Sequence, residues 1–195
     1  MADTLIRRSP LQDWESRLAA LPESTNIREE PFVAMVDLWV DPTGPGGAAA
    51  AEVLGIALPT TPSTLVEGSD ITVIWFGPQE SLVTSTAGTG AALETQLREV
   101  IAEHGGAAVD VSAQRTTVRL RGAHARDVLA KGCALDLHPA VFGPGAAAQT
   151  MLGQAAVVLI PLDAGGTDYR ILVRSSFAGY LADWLIDAAE EFGVD

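Results

Sequence analysis

Cysteine is almost absent from this sequence, because Cys133 is the only one in 195 residues. No disulfide can form within the chain, so an apolar core has to stabilise the fold. A compact protein of this length hides roughly 70% of the surface that its unfolded chain would expose. Hydrophobic residues make up 48% of the sequence and charged residues 19%, which is typical of a globular protein.

Long apolar runs are missing as well. The longest, residues 155–162, is interrupted by Pro161 and falls far short of the roughly 20 residues that cross a bilayer. The start, Met1-Ala2-Asp3-Thr4, lacks the basic and then apolar layout of a secretory signal. We therefore expect a cytoplasmic protein without a membrane partner.

Positive charge is scarce and unevenly placed. The formal net charge is −13, which repels phosphate backbones, so we expect no nucleic-acid partner. No Lys or Arg occurs between Arg28 and Arg98, whereas five basic residues cluster between Arg115 and Lys131. The chain is therefore electrically lopsided.

The residues that usually carry chemistry are few. Cys133 and His138 have no partner at the spacing of a catalytic triad or a metal site. Gly88-Thr89-Gly90 lacks the third glycine of a dinucleotide loop and reads as a loop entering a helix. Asp136 and His138 are expected to form a turn before Pro139. We predict no catalytic, cofactor-binding or metal-binding residues on this chain.

Hydrophobic periodicity predicts an α+β fold with a largely antiparallel sheet and packed helices. Residues 1–30 are predicted to be an N-terminal segment with a short helix, and residues 31–195 a single domain. Further helices are predicted over 48–54, 90–103, 123–130 and 177–188. Strands are predicted over 31–40, 71–76, 107–112, 116–121, 155–162 and 169–173.

One predicted strand carries a row of arginines. Arg115, Arg119 and Arg121 fall on one face at period two, while the residues between them face the other way. Two interpretations remain open. The row is either a solvated outer face or a docking surface for an acidic patch of a larger subunit, where Arg makes bidentate contacts.

Residues 31–40 alternate and predict a half-buried strand. Its apolar face would carry Phe32, Ala34, Val36, Leu38 and Val40. Trp39 would lie on the opposite face with Met35 and Asp37, so we predict that Trp39 contacts another chain.

Three segments together resemble a known family. Residues 73–82, VIWFGPQESL, resemble the Trp-Leu-Gly-Pro-Asp-Glu-Trp-Leu signature of the gamma subunit of heterotetrameric sarcosine oxidase. Residues 110–136 resemble the same subunit and, more distantly, the first domain of glycine-cleavage aminomethyltransferases. Residues 175–188 resemble the closing helix of the subunit. The ordered occurrence of the three segments is more specific than any one of them.

The resemblance implies an accessory gamma subunit that works with alpha, beta and delta chains. Such a complex oxidatively demethylates sarcosine to glycine, releases hydrogen peroxide and passes the one-carbon unit to tetrahydrofolate. It implies that FAD, FMN, NAD and zinc belong to the other chains, and that this chain serves structure and assembly. It also implies a domain similar to the folate-binding domain of aminomethyltransferases.

One departure from the aminomethyltransferases bears on function. They carry an acid shortly after a turn glycine, in the strand that here begins at Met151, whereas residues 154–158 read Gln-Ala-Ala-Val-Val. Alanine and valine neither accept nor donate a proton, so folate chemistry on this chain is not expected. The alternative is a free-standing folate-binding protein, which a carboxylate pointing into a deep folate-sized cavity of this chain would support.

Overall fold

The computed structural model describes residues 6–193, which form ten strands and five α-helices with short 3-10 turns between them. The strands are β1 Asn26–Glu30, β2 Ala34–Trp39, β3 Leu65–Glu67, β4 Ile71–Gly77, β5 Glu80–Ser85, β6 Ala107–Asp110, β7 Arg115–Arg121, β8 Ala148–Leu152, β9 Ala155–Pro161 and β10 Asp168–Arg174. The helices are α1 Glu15–Ala19, α2 Pro45–Leu54, α3 Gly90–Ile101, α4 Ala125–Ala130 and α5 Ala178–Ala189.

The strands form two five-stranded sheets. Sheet I has the order β1-β7-β10-β9-β8, and sheet II has the order β3-β4-β5-β2-β6. Neighbouring strands pair antiparallel in both sheets. The predicted α+β class with antiparallel strands is therefore confirmed, although the strands divide between two sheets.

The two sheets pack face to face and each is covered outside by helices, which gives four layers. Ile171 on β10 and Leu185 on α5 belong to the core between sheet I and its helices. Val73 on β4 and Leu97 on α3 belong to the core between sheet II and its helices. The core between the sheets contains Met35, Leu65, Ile74, Leu82, Ala147, Val158, Ile160 and Leu172.

The clearest helix of the sequence, α3, begins and ends as its residues predict. The Thr89 side chain caps the helix by accepting a hydrogen bond from the Ala92 N–H at 3.3 Å. A 3-10 turn follows the helix, and Gly105 ends it in the left-handed conformation at φ 72°. The prediction that Gly88-Thr89-Gly90 is a loop entering a helix is thereby confirmed.

Helix α2 begins three residues before the predicted start at residue 48. Pro45 occupies its first turn, where the missing N–H costs no hydrogen bond. Gly46 and Gly47 are buried inside the helix, and a side chain on Gly47 would overlap the backbone of Asp41 and Pro42. The helix therefore includes a closely packed glycine pair that lies before its predicted start.

The predicted strand 31–40 is shorter than expected, because β2 begins at Ala34. Phe32 lies in the preceding turn at φ 64° and is exposed, so its predicted place on the apolar face was wrong. Met35 was predicted on the face opposite the apolar one, and the structure shows that this part of the face is also buried, between the two sheets. Both faces of β2 are therefore apolar over much of its length.

The N-terminal residues pack against sheet I. Ile27 of β1 pairs with Leu120 of β7, and both side chains are buried in the core under α5. The Trp14 Nε1–H donates a hydrogen bond to Asp183 on α5 at 3.0 Å. That residues 31–195 form a domain without this segment stays a prediction, which truncation after residue 30 would test.

Candidate partner interface

The face of β7 that carries the arginines points into the gap between the sheets. Val118 and Leu120 point the other way, into the core under the helices of sheet I. Thr117 lines a cavity together with residues of sheet II, which places its face toward that sheet. The predicted alternation along this strand is therefore confirmed, but the row lies inside the sandwich and at its openings.

Arg119 forms a bidentate ion pair within the chain. Its Nε and Nη2 atoms donate to Asp168 Oδ1 and Oδ2 at 2.8 and 2.6 Å, and its Nη1 lies 3.7 Å from Glu30 Oε1. The hydrogen bonds to Asp168 raise the pKa of Arg119. Asp168 is the first residue of β10 and pairs with Arg121 of β7, so this contact joins neighbouring strands of sheet I.

Arg115 lies at the opposite end of β7 and has no ion pair within residues 6–193. Its guanidinium stacks over the Phe76 ring with a centroid distance of 5.4 Å. Burial, followed by repulsion from Arg174, lowers the pKa of Arg115. Two guanidinium groups, the partly buried Arg115 and the exposed Arg174, therefore lie near each other, and neither forms an ion pair within residues 6–193.

A cavity of ≈ 470 Å³ lies over the part of sheet I that holds these two arginines. We call it the arginine cleft. Its lining includes Arg115, Gln149, Met151, Ala156 and Arg174, and no carboxylate contributes to it. The Met151 side chain is 48% exposed at its edge. The cleft therefore combines positive charge with accessible apolar surface.

Trp39 lies on sheet II at this same end of the sandwich. Its side chain is 49% exposed, and Val109 on the neighbouring strand β6 is 51% exposed. The Trp39 Nε1–H donates to Asp37 Oδ2 at 3.2 Å, while the buried Asp37 Oδ1 accepts no hydrogen bond from residues 6–193. Burial and the nearby Asp37 raise the pKa of Glu80, which pairs with Trp39 across the strands.

We call Asp37, Trp39, Glu80 and Val109 the tryptophan face. It meets the arginine cleft at Arg115, whose pKa responds to both Asp37 and Glu80. The Gln149 amide also bridges the sheets here by donating to the Phe76 carbonyl at 3.1 Å. Of the four predicted interface residues, the structure brings Arg115 and Trp39 together.

The other two predicted residues lie further along β7. Arg121 is exposed and stands six residues from Arg115, about 20 Å along the strand. Arg119 forms ion pairs with Asp168 and Glu30 within the chain. Arg174 and Met151 were missed by sequence reasoning, although Arg174 lies four residues after Arg170 and therefore on the same face of β10. That spacing is the sequence signal that could have located Arg174.

A second cavity, of ≈ 580 Å³, opens at the other end of the gap. Ile74, Ile160 and Leu172 form its apolar part. Glu30 also lines it, but the Glu30 carboxylate accepts a hydrogen bond from Arg170 Nε at 2.7 Å. Glu67 and Asp70 also line the cavity; both are exposed and form no ion pair within residues 6–193. Carboxylates therefore do line a cavity of useful size, and the one beside the apolar part, Glu30, is held in an ion pair.

The place where aminomethyltransferases carry an acid is the β8–β9 hairpin. Gly153 turns the chain at φ 57°, and the Gln154 N–H donates to the Tyr180 hydroxyl at 3.0 Å. Ala155 and Val157 are buried under the helices of sheet I, and Val158 is buried between the sheets. Both faces of this strand are occupied by apolar side chains.

The remaining polar candidates have structural partners. Asp136 Oδ1 accepts from the His138 N–H at 2.9 Å, and His138 Nδ1 accepts from the Ala140 N–H at 3.2 Å, so the predicted turn is confirmed. Cys133 is buried and free. Among residues 6–193 no three His, Cys, Asp or Glu side chains are placed to hold a metal ion. The same residues contain no helix long and apolar enough to span a membrane.

Comparison with known proteins identifies the family. The pattern described as "Sarcosine oxidase, gamma subunit family" matches residues 40–191. The chain belongs to the sarcosine oxidase gamma subunit family. The sarcosine oxidase gamma subunit of Corynebacterium sp. strain P-1 is 36% identical over 98% of this chain and 94% of that protein. The gamma subunit from strain U-96 is 34% identical over the same shares.

Solved structures agree with this assignment. A chain of the heterotetrameric sarcosine oxidase from Corynebacterium sp. U-96, in complex with pyrrole 2-carboxylate, superposes with a TM-score of 0.88 at 33% identity and covers 98% of both chains. The glycine cleavage system aminomethyltransferase T from Bartonella henselae superposes with a TM-score of 0.56 at 14% identity over 88% of this chain and 48% of that one. The second likeness confirms the predicted aminomethyltransferase-like fold.

Proposed function

We propose that this chain is the gamma subunit of a heterotetrameric sarcosine oxidase and that it assembles there with alpha, beta and delta chains. The observation that carries the proposal is the end-to-end likeness to a chain of the Corynebacterium sp. U-96 complex, with a TM-score of 0.88 over 98% of both chains. We place the complex in the cytoplasm.

In this proposal the complex oxidatively demethylates sarcosine to glycine, releases hydrogen peroxide and transfers the one-carbon unit to tetrahydrofolate. FAD, FMN, NAD and zinc reside on the other chains, as does catalysis. The β8–β9 hairpin supports this division of labour. Its Ala155, Val157 and Val158 side chains cannot transfer a proton to or from a folate amine.

The role proposed for this chain is structural and assembly-forming. Trp39, Arg115 and Arg121 reach the surface and are the predicted contacts with partner subunits. Arg119 contributes through sheet I, because its guanidinium is held by Asp168 and Glu30. A rigid sheet keeps the outward side chains in one relative position, which lowers the entropic cost of binding.

Co-expression tests the proposal directly. The alpha, beta and delta chains are produced with and without this chain, and the assemblies are compared by size-exclusion chromatography and by peroxide release from sarcosine. We expect this chain to co-purify with the other three in a fixed ratio, and we expect its omission to reduce the yield of active complex. Peroxide release from sarcosine by this chain alone would contradict the proposal.

A second candidate function draws on the cavity of ≈ 580 Å³ beside Glu30 and Arg170, which is large enough for a small-molecule ligand. It is folate binding by the free chain, as in an independent protein of the aminomethyltransferase-like class. Isothermal titration of the purified chain with tetrahydrofolate separates the two functions. Micromolar binding that Arg170→Gln abolishes would favour the second candidate.

A further inference from the structure

The arginine cleft and the tryptophan face have the composition of a protein interface. Trp, Met and Arg are enriched at the centres of interfaces, whereas Lys is depleted there. Trp39, Val109 and Met151 are each about half exposed, at 49%, 51% and 48%. Met151 lies on sheet I and the other two residues lie on sheet II, so both sheets contribute exposed apolar side chains.

The electrostatics of the cleft specify the chemistry of what binds. Arg115 and Arg174 both line it, and neither forms an ion pair within the described residues. Two adjacent guanidinium groups repel one another, and a carboxylate between them replaces that repulsion with charge-assisted hydrogen bonds. Asp37 and Glu80 belong to the opposite wall, outside the lining of the cleft.

The opposite wall also offers a hydrogen-bond acceptor. The buried Oδ1 atom of Asp37 accepts no hydrogen bond from residues 6–193, although its Oδ2 atom binds Trp39. Buried carboxylate oxygens are nearly always hydrogen-bonded in complete structures. A backbone N–H of a chain that enters the opening supplies such a donor, which a simple anion does not.

We propose that the arginine cleft receives a peptide segment of a partner subunit, with an Asp or Glu side chain between Arg115 and Arg174 and a neighbouring apolar side chain against Trp39 and Met151. This inference rests on the proposed function, because the partner is a subunit of the oxidase. The cleft volume of ≈ 470 Å³ suits the insertion of a few side chains and not of a folded element. The contact buries the apolar residues of both walls.

Binding measurements on matched variants test the site. The alpha, beta and delta chains are co-expressed without this chain, and the resulting assembly is titrated with purified variants by surface plasmon resonance at low and high salt. We expect Arg174→Glu and Trp39→Ala each to weaken the Kd by about tenfold or more. Arg126→Glu on α4 makes the same charge change away from the cleft and should leave the Kd unchanged.

The effect of Arg174→Glu should shrink at high salt, because screening weakens exposed charge pairs. Arg174 is exposed, so its reversal is compatible with folding, and the circular dichroism spectrum of each variant verifies this. If unaltered chain does not bind the other subunits, the proposed function fails. If unaltered chain binds and Arg174→Glu, Trp39→Ala and Arg126→Glu bind equally well, the cleft inference alone fails.

Photo-crosslinking identifies the occupant. Met151→p-benzoylphenylalanine places a photoreactive group at the edge of the cleft, and mass spectrometry of the irradiated complex locates the attached peptide. We expect a partner peptide in which an Asp or Glu adjoins an apolar residue. Attachment to a segment without an acid, or to a second copy of this chain, would overturn the inference.

Discussion

Arg119→Gln is expected to lower the free energy of unfolding of this chain by about 2 to 3 kcal/mol. Arg119 donates two hydrogen bonds to Asp168, at 2.8 and 2.6 Å, and a hydrogen bond to a charged group contributes about 1.5 to 3 kcal/mol. The change leaves Asp168, which is 9% exposed, with a buried charge, and losing one partner of a buried pair costs about 3 to 5 kcal/mol.

The expected value lies below that range because the Arg119 side chain is 25% exposed and water screens part of the interaction. For a chain of 195 residues, 2 to 3 kcal/mol corresponds to a fall in Tm of about 4 to 12 °C. Urea unfolding followed by circular dichroism measures the free energy, and calorimetry measures Tm.

Arg121→Gln is the matched control, because it changes the same residue type two positions away on the same strand face. Arg121 is exposed and forms no ion pair within residues 6–193, so its loss should cost less than about 0.5 kcal/mol. A double-mutant cycle with Asp168→Asn isolates the pairwise energy. Equal effects of the two Gln substitutions, or a coupling energy near zero, would refute the claim that the Arg119–Asp168 ion pair stabilises the fold.

Two further predictions concern backbone conformation and pH. Gly122→Ala should destabilise the chain by about 3 kcal/mol or more, because Gly122 has φ 140° and a Cβ there would overlap the Ser24 carbonyl. Gly55→Ala, at φ 68° in open space, should cost only about 1 kcal/mol in the same urea assay, and equal costs would contradict the steric argument. The raised pKa of Glu80 means that the folded state favours its protonated form, so Glu80 ionisation removes stability as pH rises above its ordinary value of 4.5. Glu80→Gln should therefore raise Tm at pH 7 and leave Tm unchanged near pH 4, and a lower Tm at pH 7 would contradict this.

Periodicity predicted the elements that have one clear apolar stripe. The helices that contain Leu97 and Leu185 and the strand that contains Val73 lie where the sequence places them. Strands β1, β3, β5 and β8 were not among the predicted strands. Their short length or polar sequence, as in Glu80–Ser85, hides the alternation, and only pairing with neighbouring strands makes them regular.

The candidate interface was predicted in part for a similar reason. The alternation of β7 located Arg115, Arg119 and Arg121 on one face, but a local pattern contains no information on what that face meets. Arg119 pairs with Asp168, which lies 49 residues away in the sequence. Arg115 lies near Arg174, which repels it. Which arginine is neutralised and which stays available depends on strand order, which single-strand periodicity does not encode.

The interleaving of the two sheets bears on how the chain is made. The first strand of sheet I pairs with a strand that leaves the ribosome roughly ninety residues later, as the match of Ile27 with Leu120 illustrates. At about 5 to 20 residues per second, Ile27 waits about 5 to 20 s for its neighbour, while the segment from Ala34 to Asp110 is synthesised and can close sheet II. The nascent protein therefore carries β1 without its neighbouring strand for seconds, so the backbone hydrogen-bonding groups of β1 and the apolar Ile27 side chain stay uncovered until β7 emerges.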